Sequence, residues 1–462
     1  MAKDTGKELR NKIIYNVFVR NYSEAGTLEA VRQDLGRIRA LGADILWLLP
    51  IHPVGEVNRK GSLGSPYANR DYRAVDPALG TEEDLRRLAE DAHALGMKVL
   101  MDVVYNHTSP DSVLASVHSE WFYHKADGAF GNKVGEWWDV VDLDYSDSAL
   151  WDYQIETLKR WAEIVDGFRC DVAPMVPLAF WRRAREAVAA VRPGAIWLAE
   201  SVEGEFVRYL RSRRIPAWTD AEGYEAFDLE YEYDIYQTFL AYLRGDCALE
   251  DYCREINRQE MIYPDNYVKM CFLENHDRER AQAVLPDPAA LRNWTAFLYF
   301  RKGTVLLYNG QEVCSAHRPS LFDRDLIDWS GLGGAADLTP FLQRLAAIRR
   351  DLLPADSTYF VNAMPGDIAA AVHTANEWLP QEGARRKGGA MAGFFALKAG
   401  GARVLDLRAA RTGDGRTLAE LLPDGCYRNE IDDGLVTVAG GCLQLTGEPV
   451  ILKVPASGGE EV

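Results

Sequence analysis

Short apolar, β-branched runs recur along the first two-thirds of the chain, at 13–19, 45–50, 98–104, 166–171, 195–200, 226–231, 268–274 and 304–308. Each has the length of a strand. Most are followed by a stretch whose apolar residues fall three or four apart, the period of a helix with one buried face. From Leu28 to Leu41 this spacing predicts a helix that Gly42 stops. Thr81, ahead of Glu82, Glu83 and Asp84, predicts an N-cap with an acidic first turn, and Gly96 closes that helix. Helical spacing returns at 151–164, 179–191, 206–212, 289–300 and 338–348. Strands answered in turn by helices predict an α/β fold, a (β/α)8 TIM barrel. The competing open, doubly wound sheet ordinarily carries a glycine-rich phosphate loop after its first strand, and Asn16 to Ser23 contains no glycine.

Two stretches break the alternation. After the third strand run about forty residues rich in Trp, Tyr, Gly and Asp, a length that implies a function or a small subdomain. Beyond Leu353, apolar segments at 368–372, 390–398, 403–407, 435–438 and 450–454 are separated by Gly, Asp and Pro turns, the pattern of an antiparallel β-sandwich. The expected organisation is a catalytic barrel from 1–107 and 150–353, an inserted subdomain at 108–149 and a C-terminal β-sandwich domain at 354–462. The Ser-Gly-Gly-Glu-Glu tail is expected to fray.

Composition narrows the partners. A net charge of −17 argues against nucleic acid or an anionic membrane, since both reward a basic surface. No run is long and apolar enough to span a membrane, and the first ten residues are polar and charged. The seven cysteines are scattered, odd in number and without metal-ligand spacing, so a reduced, cytoplasmic protein is expected. The oligomeric state stays open.

The chemistry sits where apolar runs end. Asp102-Val-Val-Tyr-Asn106-His107, Gly167-Phe-Arg169-Cys170-Asp171, Trp197-Leu-Ala-Glu200 and Phe272-Leu-Glu274-Asn-His276-Asp277 each place acids at or beyond a strand terminus. A buried carboxylate there is costly unless solvated, paired or used, and that end of a barrel is where active sites lie. Cleavage of a glycosidic bond with retention needs one carboxylate as nucleophile and one carboxylic acid for the leaving oxygen, about 5–5.5 Å apart.

These four segments, in this order and with these separations, resemble the signatures of the α-amylase superfamily, glycoside hydrolase family 13, and the resemblance spans essentially the whole chain. It implies Asp171 as nucleophile, Glu200 as acid/base and Asp277 as the acid that steadies the distorted sugar. It further implies that His107 and His276 bind sugar hydroxyls, that Arg169 keeps Asp171 ionised and that Asp102 supports Arg169. Gly64-Ser-Pro-Tyr67 with Asp71-Tyr72 resembles a family loop whose first Tyr stacks under the sugar, Tyr308-Asn-Gly-Gln-Glu312 resembles the turn after the eighth strand, and Val141-Asp142-Leu-Asp144 matches a signature of the inserted loop. The residues after Asp171, Val-Ala-Pro-Met-Val-Pro, replace a Lys-His pair common in the family, so acceptor-side binding differs. Asn106 matches one usual ligand of a structural Ca²⁺, which makes calcium conceivable, although no cofactor is required. His52-Pro53 and Arg59-Lys60-Gly61 are locally similar to maltosyltransferases of glycogen metabolism.

Blander readings stand beside these. Arg169 and Asp171 alone would read as a structural ion pair, and Asp277 lies in a charge run of the kind that usually forms a solvated face. The histidines would read as ordinary buried ones, and Glu274 as structural. Trp121, Tyr123, Trp137 and Trp138 fit either sugar platforms or the core of the inserted loop. Cys170 points away from Arg169 and Asp171 by strand alternation. The expected activity is that of a retaining α-glycosidase acting on maltooligosaccharides or α-glucans. The alternatives are glycosyl transfer to a glucan or phosphate with the same residues, and a non-catalytic glucan-binding barrel.

Overall fold

The computed structural model describes residues 4–379, 384–398 and 401–454, and side chains outside 376–388. The tail expected to fray lies outside the described residues. Eight parallel strands close into a barrel: β1 (Ile13–Val17), β2 (Ile45–Leu48), β3 (Lys98–Val103), β4 (Gly167–Cys170), β5 (Ile196–Ala199), β6 (Leu229–Tyr231), β7 (Lys269–Cys271) and β8 (Thr304–Tyr308). They follow chain order around the ring, with β8 returning to β1. Nearly every strand residue is buried, which is why the sequence shows continuous apolar runs instead of alternation. At the start of β4 a side chain is impossible: a Cβ on Gly167 would lie 2.1 Å from the Ile196 carbonyl oxygen. Glycine therefore lets β4 and β5, which carry Arg169 and lead into Asp171 and Glu200, approach closely.

The outer helices differ in detail from the sequence reading. The segment from Leu28 is two short helices, Leu28–Gln33 and Leu35–Ala40, broken at Asp34, whose backbone (φ −102°, ψ 4°) leaves the helical region. The Thr81 cap forms as a full capping box with Asp84 on helix Glu82–Ala94. Between β6 and β7 the chain builds two helices, Tyr233–Arg244 and Leu249–Ile262, that the spacing does not pick out.

After β3 the chain leaves the barrel. His107–Thr108 pairs with Val141–Asp142, and between them runs an irregular loop with the helix Val113–Val117. Trp121 is buried in that loop, and its indole donates to Asp147 (3.1 Å).

The C-terminal region forms two four-stranded antiparallel sheets. One is ordered β9 (Ser357–Met364), β10 (Ile368–Leu379), β11 (Ala384–Ala396), β16 (Val450–Val454). The other is ordered β12 (Arg403–Asp406), β15 (Cys442–Leu445), β14 (Leu435–Ala439), β13 (Gly425–Arg428). Their facing sides share a core of Ile368, Phe394, Leu405, Leu443 and Leu452. The outer face of the first sheet joins the barrel's own core: Phe395 packs on Phe297 and Phe300, and Trp294 donates to the Leu397 carbonyl (3.0 Å). The first sheet of the sandwich is therefore packed directly against the barrel. Among the described residues no helix is long and apolar enough to cross a membrane.

Candidate active site

Arg169 is the centre of the site. Residues 169 and 171 point into the barrel by strand alternation, while Phe168 packs outward against Trp197 and Cys170 is buried away from the pocket. The guanidinium is fully buried. Its Nη1 donates to Asp102 (2.9 and 3.2 Å) and to Asp171 Oδ1 (2.8 Å), and its Nε donates to the Tyr231 hydroxyl (3.2 Å). Its Nη2 lies 2.9 Å from Glu200 Oε2, a close ionic contact without hydrogen-bond alignment. Trp47, Tyr67 and Tyr231 present their ring faces to the cation at 5.4–5.5 Å. One cation thus touches three carboxylates from the ends of β3, β4 and β5.

Glu200 is held by an unusual backbone. Val172 adopts a left-handed conformation (φ 34°), which is strained for a β-branched residue, and so aims its N–H at Glu200 Oε2 (2.8 Å). Oε1 is left as the oxygen able to carry a proton.

Asp277 follows β7 in a turn that Asn275 stabilises by accepting the Asp277 N–H (2.9 Å). His276 Nε2 lies 3.1 Å from Asp277 Oδ2 and 2.7 Å from the Tyr67 hydroxyl, and the Tyr67 and His276 rings stack 5.5 Å apart. The Tyr67 hydroxyl also donates to Asp102 (3.2 Å). His107 Nε2 sits 3.8 Å from Asp171 Oδ2. With Asn106 Nδ2 donating to His107 Nδ1 (3.1 Å), the ring keeps its own proton on Nε2, facing the pocket.

Tyr67, His107, Asp171, Glu200 and Asp277 line one cavity of about 230 Å³, with Arg169, His276 and Asp102 beneath them. All eight expected site residues meet at the C-terminal rim. Trp137 joins the lining, and Trp138 beside it is exposed. Glu274 instead pairs with Arg280 and accepts the Ala281 N–H (2.6 Å), a structural position. A hollow of about 280 Å³ on the other rim has no such constellation; its Arg185 is engaged by Asp4 and Asp228.

The charge balance sets the protonation order. Burial, and next the Asp171 and Asp277 charges, push Glu200 up to about 7 against the pull of Arg169. Burial, then Asp102 and Asp277, push Asp171 up to about 6, again against Arg169. Asp277 goes the other way: burial opposes its charge, but His276, Arg169 and Arg278 outweigh it and hold the carboxyl near about 2. Burial also depresses His107, keeping it neutral.

The residues around Asn106 do not fit calcium. A hard cation wants about six to eight converging oxygens. Asn106 has Asp142 at 3.5 Å, and that carboxylate is already engaged by the Lys133 N–H (2.8 Å). Lys133, a cation, donates its Nζ to the carbonyl of Leu143 (3.2 Å), the residue whose N–H bonds the Asn106 carbonyl (2.9 Å). Among the described residues no three acidic, His or Cys side chains are grouped to hold a metal.

Several contributors escape the sequence reading: Trp47 and Tyr231 around Arg169, the Val172 amide, and Asp139 and Phe322 at the cavity wall, beside Lys60, which the sequence offers only within a local likeness.

Fold and site together define a (β/α)8-barrel protein with three carboxylates gathered at the C-terminal rim around one buried arginine. The chain belongs to the α-amylase family. The family model described as alpha amylase, catalytic domain, matches residues 14–325, and the bacterial alpha amylase C-terminal domain matches 383–452. The crystal structure of an alpha-amylase from Lactobacillus plantarum is 45% identical, with a TM-score of 0.89 over 97% of this chain and 100% of that one. Alpha-amylase MalA of Haloarcula japonica is 27% identical over 79% of this chain and 54% of its own length. The alpha-1,4-glucan:maltose-1-phosphate maltosyltransferase of Rhodospirillum rubrum is 28% identical over 78% of this chain and 55% of its own. The chain thus spans about half the length of the curated relatives it matches.

Proposed function

We propose that this protein is a retaining α-glycosidase acting on α-glucosidic bonds of maltooligosaccharides or α-glucans. The observation that carries this reading is Arg169 holding Asp171 and Glu200 within one guanidinium's breadth, in a cavity that Asp277 also lines. Asp171 Oδ1 is fixed by Arg169, which leaves Oδ2 to attack the anomeric carbon. The glycosidic C–O bond breaks as Glu200 passes its proton to the leaving oxygen, giving a covalent glycosyl–Asp171 ester. Glu200, now a carboxylate, takes a proton from water as the water oxygen attacks the same carbon, and Asp171 is freed. Asp277, with His107 and Tyr67, contacts the sugar at the cleaved bond, and His276 beneath them holds Asp277 and the Tyr67 hydroxyl in place. Proton NMR of the first product is the test: an α-anomer is expected, and a β-anomer would overturn the reading.

The protonation order fixes the pH dependence. Turnover needs Asp171 ionised and Glu200 protonated, so kcat/KM rises as pH passes about 6 and falls again past about 7. Glu200→Gln is expected to be nearly inactive on natural glycosides. On a substrate whose leaving group needs no acid, its first step should retain the acidic limb and lose the alkaline one. Pre-steady-state rates across pH check this.

We also propose that no metal is needed. Incubation with EDTA is expected to leave both Tm and turnover unchanged; a fall in either would show that a bound cation is needed. The seven unpaired cysteines support placement in a reducing compartment, the cytoplasm.

A second reading, transfer to a glucan or to phosphate, is favoured by the likeness to maltosyltransferases. It uses the same carboxylates, with an acceptor in place of water. Products formed with and without added glucan or phosphate separate the two.

A further inference from the structure

The ring order of the strands gives the cavity a direction. Glu200 follows β5, so the leaving group, which takes its proton, lies on the β5 side. The donor sugar chain must then extend the opposite way, toward β1 and the loops after its neighbours β2 and β8. Those loops are stitched together there. The Leu63 and Gly64 N–H groups both donate to the Phe322 carbonyl (2.9 and 3.1 Å), and the Ser62 N–H and hydroxyl donate to Asp323 (2.8 and 2.7 Å). Arg20, just past β1, donates to the carbonyls of Gly64 (2.9 Å) and Leu321 (3.3 Å), one from each loop. The approach is close enough that a Cβ on Gly61, which has φ +61°, would lie 2.6 Å from the Phe322 Cβ.

Across this end lies an ion pair. Lys60 Nζ, from the loop after β2, meets Asp139 Oδ1, from the insertion after β3, at 2.6 Å. Asp139 is only 4% exposed and Lys60 22%. The ammonium also faces the rings of Trp138 (5.3 Å) and Phe322 (5.7 Å), which fixes it in place. Lys60, Asp139 and Phe322 line the same cavity as Asp171, Glu200 and Asp277. A long glucan passing through would have to break a largely desolvated pair and pull apart a pair of hydrogen-bonded loops.

We infer that Lys60, Asp139 and Phe322 form the closed end of the donor side, so that the enzyme removes a short unit, glucose or maltose, from the non-reducing end of its substrate. This rests on the hydrolase reading above and adds to it where along the chain the cut falls. A purely mechanical role, fastening the inserted loop to the barrel, would leave the position of the cut unchanged when the pair is removed.

The test is early-product analysis on maltoheptaose labelled at its reducing end. The native enzyme is expected to give one long labelled fragment and unlabelled glucose or maltose. Removing Lys60 alone would strand a buried carboxylate, so the informative variant is the double Lys60→Ala, Asp139→Ala, with Phe322→Ala as a second opening of the wall. Both are expected to raise the ratio of internal to terminal cuts by about tenfold or more, while Lys60→Arg keeps the native pattern. Labelled fragments of every length from the native enzyme would overturn the inference. So would a double variant that keeps the native circular dichroism spectrum and the native product pattern. Rapid but internal cleavage sinks this inference alone, whereas no turnover of maltoheptaose or of an aryl α-glucoside sinks the hydrolase reading with it.

Discussion

Asp171→Asn is expected to lower kcat on an aryl α-glucoside by on the order of 10⁴-fold or more, the scale seen when a covalent catalyst loses its nucleophile. The substitution is nearly isosteric. An asparagine carbonyl can keep the bond to Arg169 Nη1 that Asp171 Oδ1 now makes at 2.8 Å, so the frame of the site survives. What disappears is the charged oxygen beside His107. Stability should change little, because the site holds more negative charge than Arg169 neutralises, and removing one carboxylate relieves repulsion. The same relief should appear at Glu200, whose carboxyl is raised by burial and then by Asp171. Its ionisation in the variant should move downward. Thermal melts beside steady-state kinetics check the pair of expectations. A folded variant with near-native turnover would remove Asp171 from the mechanism.

Arg169→Met is expected to be damaging in a second way. The guanidinium is fully buried and serves Asp102, Asp171 and Glu200 at once. Removing one partner of a buried ion network leaves uncompensated charge, at a cost of about 3–5 kcal/mol. Lost activity should accompany lost stability, since burial would then push Asp171 further up and leave it protonated near neutral pH. Arg169→Lys should rescue neither, because an ammonium cannot present the two arms of the fork. The double variant Asp102→Asn, Arg169→Met should regain some of the stability but none of the activity. Urea unfolding measures the first effect and kcat the second. Activity recovered by the double variant would show that Arg169 only balances Asp102.

The features of the site legible in the sequence are those with a cost. Asp171, Glu200 and Asp277 stand out because carboxylates ending apolar runs need a reason to be there, and Arg169 because strand alternation turns it the same way as Asp171. Trp47 and Tyr231 do not stand out, since an aromatic inside an apolar run looks like any core residue until something is packed on its face. Val172 is invisible for another reason: the left-handed backbone it adopts is a glycine or asparagine habit, and the strain is imposed by the site. The Lys60–Asp139 pair joins loops far apart in the chain, and no local pattern announces such a contact.

The same logic explains the fold. Central barrel strands are buried on both faces and read as solid apolar runs. Strand β13 is mostly exposed, and β9 alternates buried with half-buried positions, so both fall below that signal. The helices Tyr233–Arg244 and Leu249–Ile262 are hard to read because β6 is three residues long and runs almost directly into the first of them. Asn106 suggests calcium through its neighbours in the chain, whereas a cation site depends on oxygens converging in space. Beside Asn106 the carboxylate in reach is Asp142, which already accepts the Lys133 N–H.

The decisive measurement is to trap the covalent intermediate with a fluorinated α-glucosyl fluoride, digest the protein and locate the added sugar by mass spectrometry. The sugar is expected on Asp171, with the adduct released over time as an α-configured product. A label on Glu200 or Asp277, or complete turnover with inversion and no label, would contradict a double displacement through Asp171.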